Sequence, residues 1–257
     1  MSQVGVRLLL FLGAFRGFVF AGPPARSVVL ISVDTLRADH LGCYGYRKVS
    51  TPHIDRLARE GIVFSQVDSP VPMTLPAHTS LLSSTYPFVH GVEENGQQVS
   101  SRIVTLATVL QASGYRTGAF IGGYVLDARF GLNRGFDAYD SPFHLRPDAG
   151  EEPPEIKRLG DAVLGAADHW IAAGAGKPFF AFIHLYDAHQ PYSHGSYTTE
   201  RSLISTRLWE TSNTRSRRGG SCGILLSSSR PIMAKAWEST GRRLTATLFI
   251  RAPCECP

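Results

Sequence analysis

Apolar positions fall in short blocks whose spacing alternates between strand-like and helix-like along the chain. Ser27-Val28-Val29-Leu30-Ile31-Ser32-Val33 is a near-continuous aliphatic run that ends at an acid, Asp34. Such a run predicts a central parallel strand covered on both faces. Thr51 to Gly61 reads as a capped helix, with Thr51 as N-cap, Pro52 in the first turn, Ile54, Leu57 and Ala58 on one face, and Gly61 as the stop. Ile62-Val63-Phe64 resumes a strand. Ile103 to Ser113 is helical up to Gly114, Thr117 to Ile121 is strand-like, Ile156 to Ala173 is helical, and Phe179 to Leu185 is a second strongly buried strand. Alternating β and α elements predict an α/β fold, a three-layer αβα sandwich around a mostly parallel sheet. Ligands of such sheets sit beyond the carboxyl ends of the strands, where Asp34 and the segment His184 to His189 fall.

The 257 residues suffice for one sizeable domain, and 43% apolar against 18% charged residues is a globular composition. The formal charge of +5 first suggests a nucleic-acid partner, but its distribution argues against one. Ten of the 26 basic side chains and four of the 21 acidic ones lie in residues 193–257, which leaves sixteen against seventeen before them. No nucleic-acid module accompanies the charge. At the N-terminus, Arg7 and the apolar run Leu8 to Phe15 have the form of an export signal over residues 1–25, which predicts a periplasmic or secreted product. Arg16 interrupts that run, so a stable membrane span, which needs about 20 apolar residues, is not expected. The four cysteines form no CxxC pair and no disulfide framework.

Three segments carry candidate chemistry. A carboxylate at the tip of a buried strand, Asp34, is costly unless neutralised, and a divalent metal does that; a turn-capping role fits it too. Thr74-Leu75-Pro76-Ala77-His78 opens a helix, with Pro76 in its first turn and Thr74 just ahead. There an oxyanion or its nucleophile is stabilised, although an ordinary N-cap has the same pattern. His184-Leu185-Tyr186-Asp187-Ala188-His189 places two histidines and an acid directly after a strand, where they could give a proton to a leaving group or hold a charged substrate.

In order, "SVDTLRADHLGCYGY", "TPHIDRLAREGIVF", "TLPAHTSLLSSTYPFVHGV", "GYRTGAFIGG", "GFD" and "PFFAFIHLYDAHQPY" resemble the N-terminal half of the sulfatase family, within the alkaline-phosphatase superfamily, over residues 26–192. The resemblance implies a truncated alkaline-phosphatase-like fold and a metal-dependent hydrolase of sulfate or phosphate esters. It implies Asp34 and Thr74 as metal ligands, Thr74 as nucleophile, His78 as the basic residue beside it, and His189 as the histidine that meets the ester or its leaving oxygen. His184 and Asp187 are then expected to contact substrate. The metal expected is calcium or magnesium, with zinc as an alternative. The partner expected is a small-molecule or glycan ester.

The sequence also departs from the family. Sulfatases convert a Cys or Ser in C/S-x-P-x-R to formylglycine, whereas T-L-P-A-H puts Thr74 and His78 there, so no formylglycine is expected and direct attack by the threonine hydroxyl is the substitute. That segment resembles the T-x-P-N-H of the nucleotide pyrophosphatase/phosphodiesterase branch, which leaves a phosphodiesterase or phosphonate-type hydrolase as the alternative, beside a non-catalytic remnant. Thr35 stands where many sulfatases have a second acid, and Gly122-Gly123-Tyr124 stand near their Lys/His pair. Residues 193–257 hold no Asp, eleven Ser and nine Arg, and are expected to be disordered or loosely helical. Read one base upstream, "RPIMAKAWESTGRRLTATLF" can spell S-D-H-G-E-G-L-G-E-H-G-E-A-T-H-G-Y-F-I-Y, and "YTTERSLISTRLWE" can spell Y-D-G-E-I-A-Y-I-D-A-A-V-G. The first contains the family's second metal-ligand motif. A frame-shifted tail predicts an inactive chain.

Overall fold

The computed structural model describes residues 27–48, 50–65, 67–143, 157–174 and 177–189, and the backbone of 222–229 and 249–250. The expected export signal and most of residues 193–257 lie outside the described residues. Seven strands form one sheet: β1 (Ser27–Asp34), β2 (Ile62–Val63), β3 (Arg116–Ile121), β4 (Ala138–Asp140), β5 (Phe179–Leu185), β6 (Cys222–Ser229) and β7 (Phe249–Ile250). Their order is β2-β7-β6-β1-β5-β3-β4, with the β6-to-β4 part parallel and β7 antiparallel to both its neighbours.

Helices cover both faces. On one, Val29, Ile31 and Val33 of β1 and Ala181, Ile183 and Leu185 of β5 pack against Ile54 and Leu57 of α1 (Pro52–Glu60) and Val163, Leu164, Ala167 and Ile171 of α5 (Gly160–Ala173). On the other, Leu30 of β1 and Phe180 and Phe182 of β5 meet Leu75 and Leu82 of α2 (Thr74–Ser83) and Ala107 of α4 (Leu106–Ala112). The short α3 (Pro87–His90) falls between these last two in the chain. Alternation along a strand thus feeds two separate cores, which is why β5 reads as unbroken hydrophobicity.

The helix boundaries move inward from the sequence expectation. α4 starts at Leu106 because Thr105 and Thr108 form a reciprocal capping box, and α5 starts at Gly160. Thr51 is the N-cap of α1 by position, but its hydroxyl donates to Asp55 Oδ1 (3.0 Å) and accepts from Gly42 N–H (2.9 Å), tying the helix start to the preceding turn. Cys222–Ser229, inside the stretch expected to be disordered or loosely helical, is an eight-residue strand parallel to β1.

Candidate active site

The ends of two polar-tipped stripes meet under one helix. Leu30, Ser32 and Asp34 share a face of β1, and Phe180, Phe182 and His184 share the same face of β5, with Ser32 in register with His184. α2 lies over that face. Each stripe is apolar deep in the sheet and polar at its carboxyl end, so Asp34 and His184 come together at the edge where α2 begins. His184 Nε2 stands 3.3 Å from Asp34 Oδ2, with both side chains sealed from solvent.

α2 begins one residue earlier than expected. Met73 is its N-cap and Thr74 its first helical residue, because the first helical bond runs from Ala77 N to Met73 O (3.0 Å). Pro76 therefore sits where no N–H is needed. The Leu75 N–H at this helix mouth donates to Asn95 Oδ1 (2.9 Å). Asn95 was not picked out from the sequence; the Asn-Gly pair at 95–96, with Gly96 at φ +86°, marks the turn that delivers it.

His78, one turn after Thr74, donates from Nδ1 to Thr74 O (2.7 Å) and with Nε2 meets Ser32 Oγ (2.8 Å). A carbonyl only accepts, so Nδ1 carries the proton, and in the neutral ring Nε2 accepts from the Ser32 hydroxyl. Burial pushes the His78 pKa down to about 4, and the neighbouring His184 adds to the fall. For Asp34, burial works to raise the pKa. The His184 hydrogen bond and attraction to that ring, with contributions from His78 and a hydrogen bond from the Thr74 hydroxyl, outweigh it and carry the pKa below the ordinary aspartate value. Asp34 and the Thr74 hydroxyl thus converge.

Among the described residues, one group of His, Cys, Asp or Glu is arranged to hold a metal: Asp34, His78 and His184, whose ligand-capable atoms lie within 4.8 Å of one another. His184 Nδ1 is buried with no hydrogen-bond partner, an orphan that a plain core histidine pays for. The residues present fit a divalent ion on both counts.

The loop after β5 is held at several points. Thr35, a β-branched residue at φ +57°, donates to Ala188 O (2.6 Å). Left-handed backbone is unusual for such a side chain and marks a strained, over-determined position. Lys157 Nζ donates to His189 O (2.5 Å), and the His189 ring stacks on Tyr186 with centroids 4.4 Å apart. Gly122 and Gly123 make this possible. A Cβ on Gly122 would stand 2.7 Å from His184 O, one on Gly123 would stand 2.8 Å from the Tyr186 ring, and Gly123 bridges to Lys157. Gly122 and Gly123 thus admit the end of β5 and the Tyr186 ring, and Gly123 pairs with Lys157, which the sequence reading passed over.

His184 and Asp187, both expected to contact substrate, each have a partner within the protein. His184 is fully buried against Asp34, because its parity on β5 points it under α2. Asp187 Oδ1 accepts from Gly160 N–H (3.0 Å) at the positive end of α5, and burial raises its pKa despite that bond. A Cβ on Gly160 would lie 2.7 Å from Asp187 Oδ2, so the residue is wedged against the helix start.

The sequence matches the Sulfatase family profile over residues 26–233. The chain belongs to the sulfatase family. It is 28% identical over 221 residues to the ulvan-active sulfatase of Formosa agariphila, covering 76% of this chain and 43% of that one. In fold it is similar to Ps i-CgsB (TM-score 0.69, 19% identity, 91% of this chain and 67% of that) and to the phosphonate monoester hydrolase of Agrobacterium radiobacter (TM-score 0.65, 18% identity, 88% and 68%). The chain spans less than half the length of the curated relatives it matches. The architecture is that of the alkaline-phosphatase superfamily, as its structural neighbours share it.

Proposed function

We propose that this chain carries the nucleophile half of a metal-dependent ester hydrolase, with Thr74 as the attacking residue. The convergence of Asp34 and the Thr74 hydroxyl at the mouth of α2 carries the reading. Thr74 Oγ forms a bond to the sulfur or phosphorus of the ester as the bond to the leaving oxygen breaks. Asp34, held ionised, draws on the hydroxyl proton, and the free end of the α2 dipole favours the negative charge that develops beside it. His78 fixes the first turn of α2 through the Thr74 carbonyl and so orients the nucleophile. His189, held by Lys157 and Tyr186, supplies a proton to the leaving oxygen. A divalent ion in the Asp34 pocket supplies, when bound, Lewis-acid polarisation of the ester.

Sulfate esters are the first substrate class, because of the family. A phosphonate or phosphate ester is the second, supported by T-L-P-A-H and the likeness to a phosphonate monoester hydrolase. A polysaccharide ester is in keeping with the ulvan-active relative. A periplasmic or secreted site of action follows from the export-signal pattern of residues 1–25; no described helix is long and apolar enough to cross a membrane.

The frame-shift proposal gains support from the register of β6. Its last residue, Ser229, pairs with Asp34, and the residues after it are those whose upstream reading is S-D-H-G-E. An Asp-His pair there would enter beside Asp34. As written, residues 230–257 carry no Asp and no His, so the chain is expected to be inactive. The test is turnover of p-nitrophenyl sulfate, phosphate and phenylphosphonate with added divalent metal. The chain as written and a chain translated one base upstream across residues 197–249 are compared, each with Thr74→Ala. Turnover by the re-read chain, lost in Thr74→Ala, is expected. Full activity in the Thr74→Ala variant refutes the nucleophile.

A further inference from the structure

A hydrogen bond joins β1 to the loop after β5 beyond the end of their shared ladder. The register of the two strands stops at Val33 and Leu185. Past it, Thr35 Oγ1 donates to Ala188 O (2.6 Å), one residue from Asp34 on one side and one residue from His189 on the other. We infer that Thr35 is a positioning residue, whose hydroxyl sets His189 relative to Asp34 and Thr74. This rests on the proposed role of His189 as proton donor and names what places it there.

The backbone at Thr35 singles out the hydroxyl. Its φ of +57° is left-handed backbone, which glycine adopts freely, asparagine and aspartate tolerate, and a β-branched side chain resists. A turn needed for its shape alone is best served by glycine. Glycine has no hydroxyl, and an ionised aspartate only accepts, so neither could donate to a carbonyl oxygen here. Thr35 meets both demands at the cost of strain, which the surrounding contacts must offset. Other bonds of this loop run elsewhere. Lys157 Nζ donates to His189 O (2.5 Å), Gly160 N–H donates to Asp187 Oδ1 (3.0 Å), and His189 N–H turns back to Tyr186 O (3.2 Å). They tie the loop to residues 157–160 and to itself, whereas the Thr35 bond ties it to the strand that carries Asp34. The His189 ring, stacked on Tyr186 at 4.4 Å with 13° between the planes, inherits that placement.

Variants of the full chain separate the hydroxyl from the backbone. Thr35→Ser keeps the donor, Thr35→Val keeps the shape without it, and Thr35→Gly relaxes the turn without it. NMR reads amide exchange from Tyr186 to His189 and the His189 ring-proton shift, which stacking on Tyr186 displaces; His189→Gln assigns that signal. Thr35→Val and Thr35→Gly are expected to speed exchange by roughly two- to tenfold, the size of one net hydrogen bond, and to move the ring signal toward its unstacked position. Thr35→Ser should match the unsubstituted chain in both. Exchange and shift should follow the hydroxyl even though Thr35→Gly, freed of strain, is the more stable of the two donor-less variants in urea. A Thr35→Gly chain protected like the unsubstituted one overturns the inference, as does Thr35→Ser behaving like Thr35→Val. If Thr35→Val does not fold, the Ser and Gly variants decide alone. In the chain re-read across residues 197–249, Thr35→Val should lower kcat with little change in KM, and Thr35→Ser should restore it. An unchanged kcat in Thr35→Val overturns the inference. Faster exchange and a shifted ring signal in the donor-less variants, without ester turnover by the re-read chain, support the inference and count against the hydrolytic reading only.

Discussion

Neutral His78 should make the fold acid-sensitive from about pH 6.5 downward, before most carboxylates titrate. Its ring is 1% exposed, with Nδ1 donating to Thr74 O and Nε2 accepting from Ser32. Protonating it puts a second proton on Nε2, against the Ser32 hydroxyl and beside the His184 ring 4.9 Å away. The folded pKa is pushed from 6.5 to about 4. The unfolded chain therefore takes the proton first. The stability due to neutral His78 is complete above about 6.5 and is lost as pH falls from there toward about 4. At about 1.4 kcal/mol per pH unit, that window is worth at most about 3 kcal/mol, a large share of the ~5–15 kcal/mol of an ordinary domain. Buried His90, also depressed by burial, acts in the same direction. Asp34, with its pKa below the ordinary value, loses its contribution at lower pH still. Urea unfolding of metal-free protein at steps from pH 7.5 to 4.5 measures the effect. The His78→Gln variant, which has no titratable ring, should show a clearly flatter dependence between pH 6.5 and 4.5. Equal slopes in the two proteins would refute the argument, since they would mean that His78 is protonated as easily inside the fold as outside it.

Other perturbations are as direct. Gly135 has φ +83°, and an added Cβ would lie 2.3 Å from Thr108 N, a backbone atom of α4 that has no room to retreat. Gly135→Ala should cost more than ~1 kcal/mol in urea unfolding. Phe182→Ala empties a site with no solvent exposure between β5 and α2 and should cost about 3–5 kcal/mol, read the same way. Lys157→Met removes the charged donor from His189 O, so amide exchange in the Tyr186-to-His189 loop should speed up severalfold while α5 stays protected, in keeping with a loss of about 1 kcal/mol.

The features legible in the sequence are those that element ends announce locally. Asp34 is marked as a strand tip by the aliphatic run before it, and Thr74 as a helix mouth by Pro76 two residues on. Both needed only their neighbours in the chain. Ser32 reads as part of the aliphatic run and His184 as a candidate substrate contact, because their pairing lies in parity and register. Ser32 faces His78 from the same side of β1 as Asp34, and β5 sets His184 beside it across a gap of 150 residues. No local signal carries that pairing. The same physics explains why Asp187 has a partner that its place after a strand does not announce: the first turn of α5 arrives from 27 residues upstream with an unsatisfied N–H. It also accounts for β6. β1 is buried over its last six residues and bonded to β5 on one side, so its other edge carries N–H and C=O groups that must be paired. Backbone ladders accept almost any extended segment without Pro, and Cys222–Ser229 meets that requirement whatever its composition suggested. The strand is dictated by the demand of the β1 edge, and that demand is invisible to a reading of residues 193–257 taken alone.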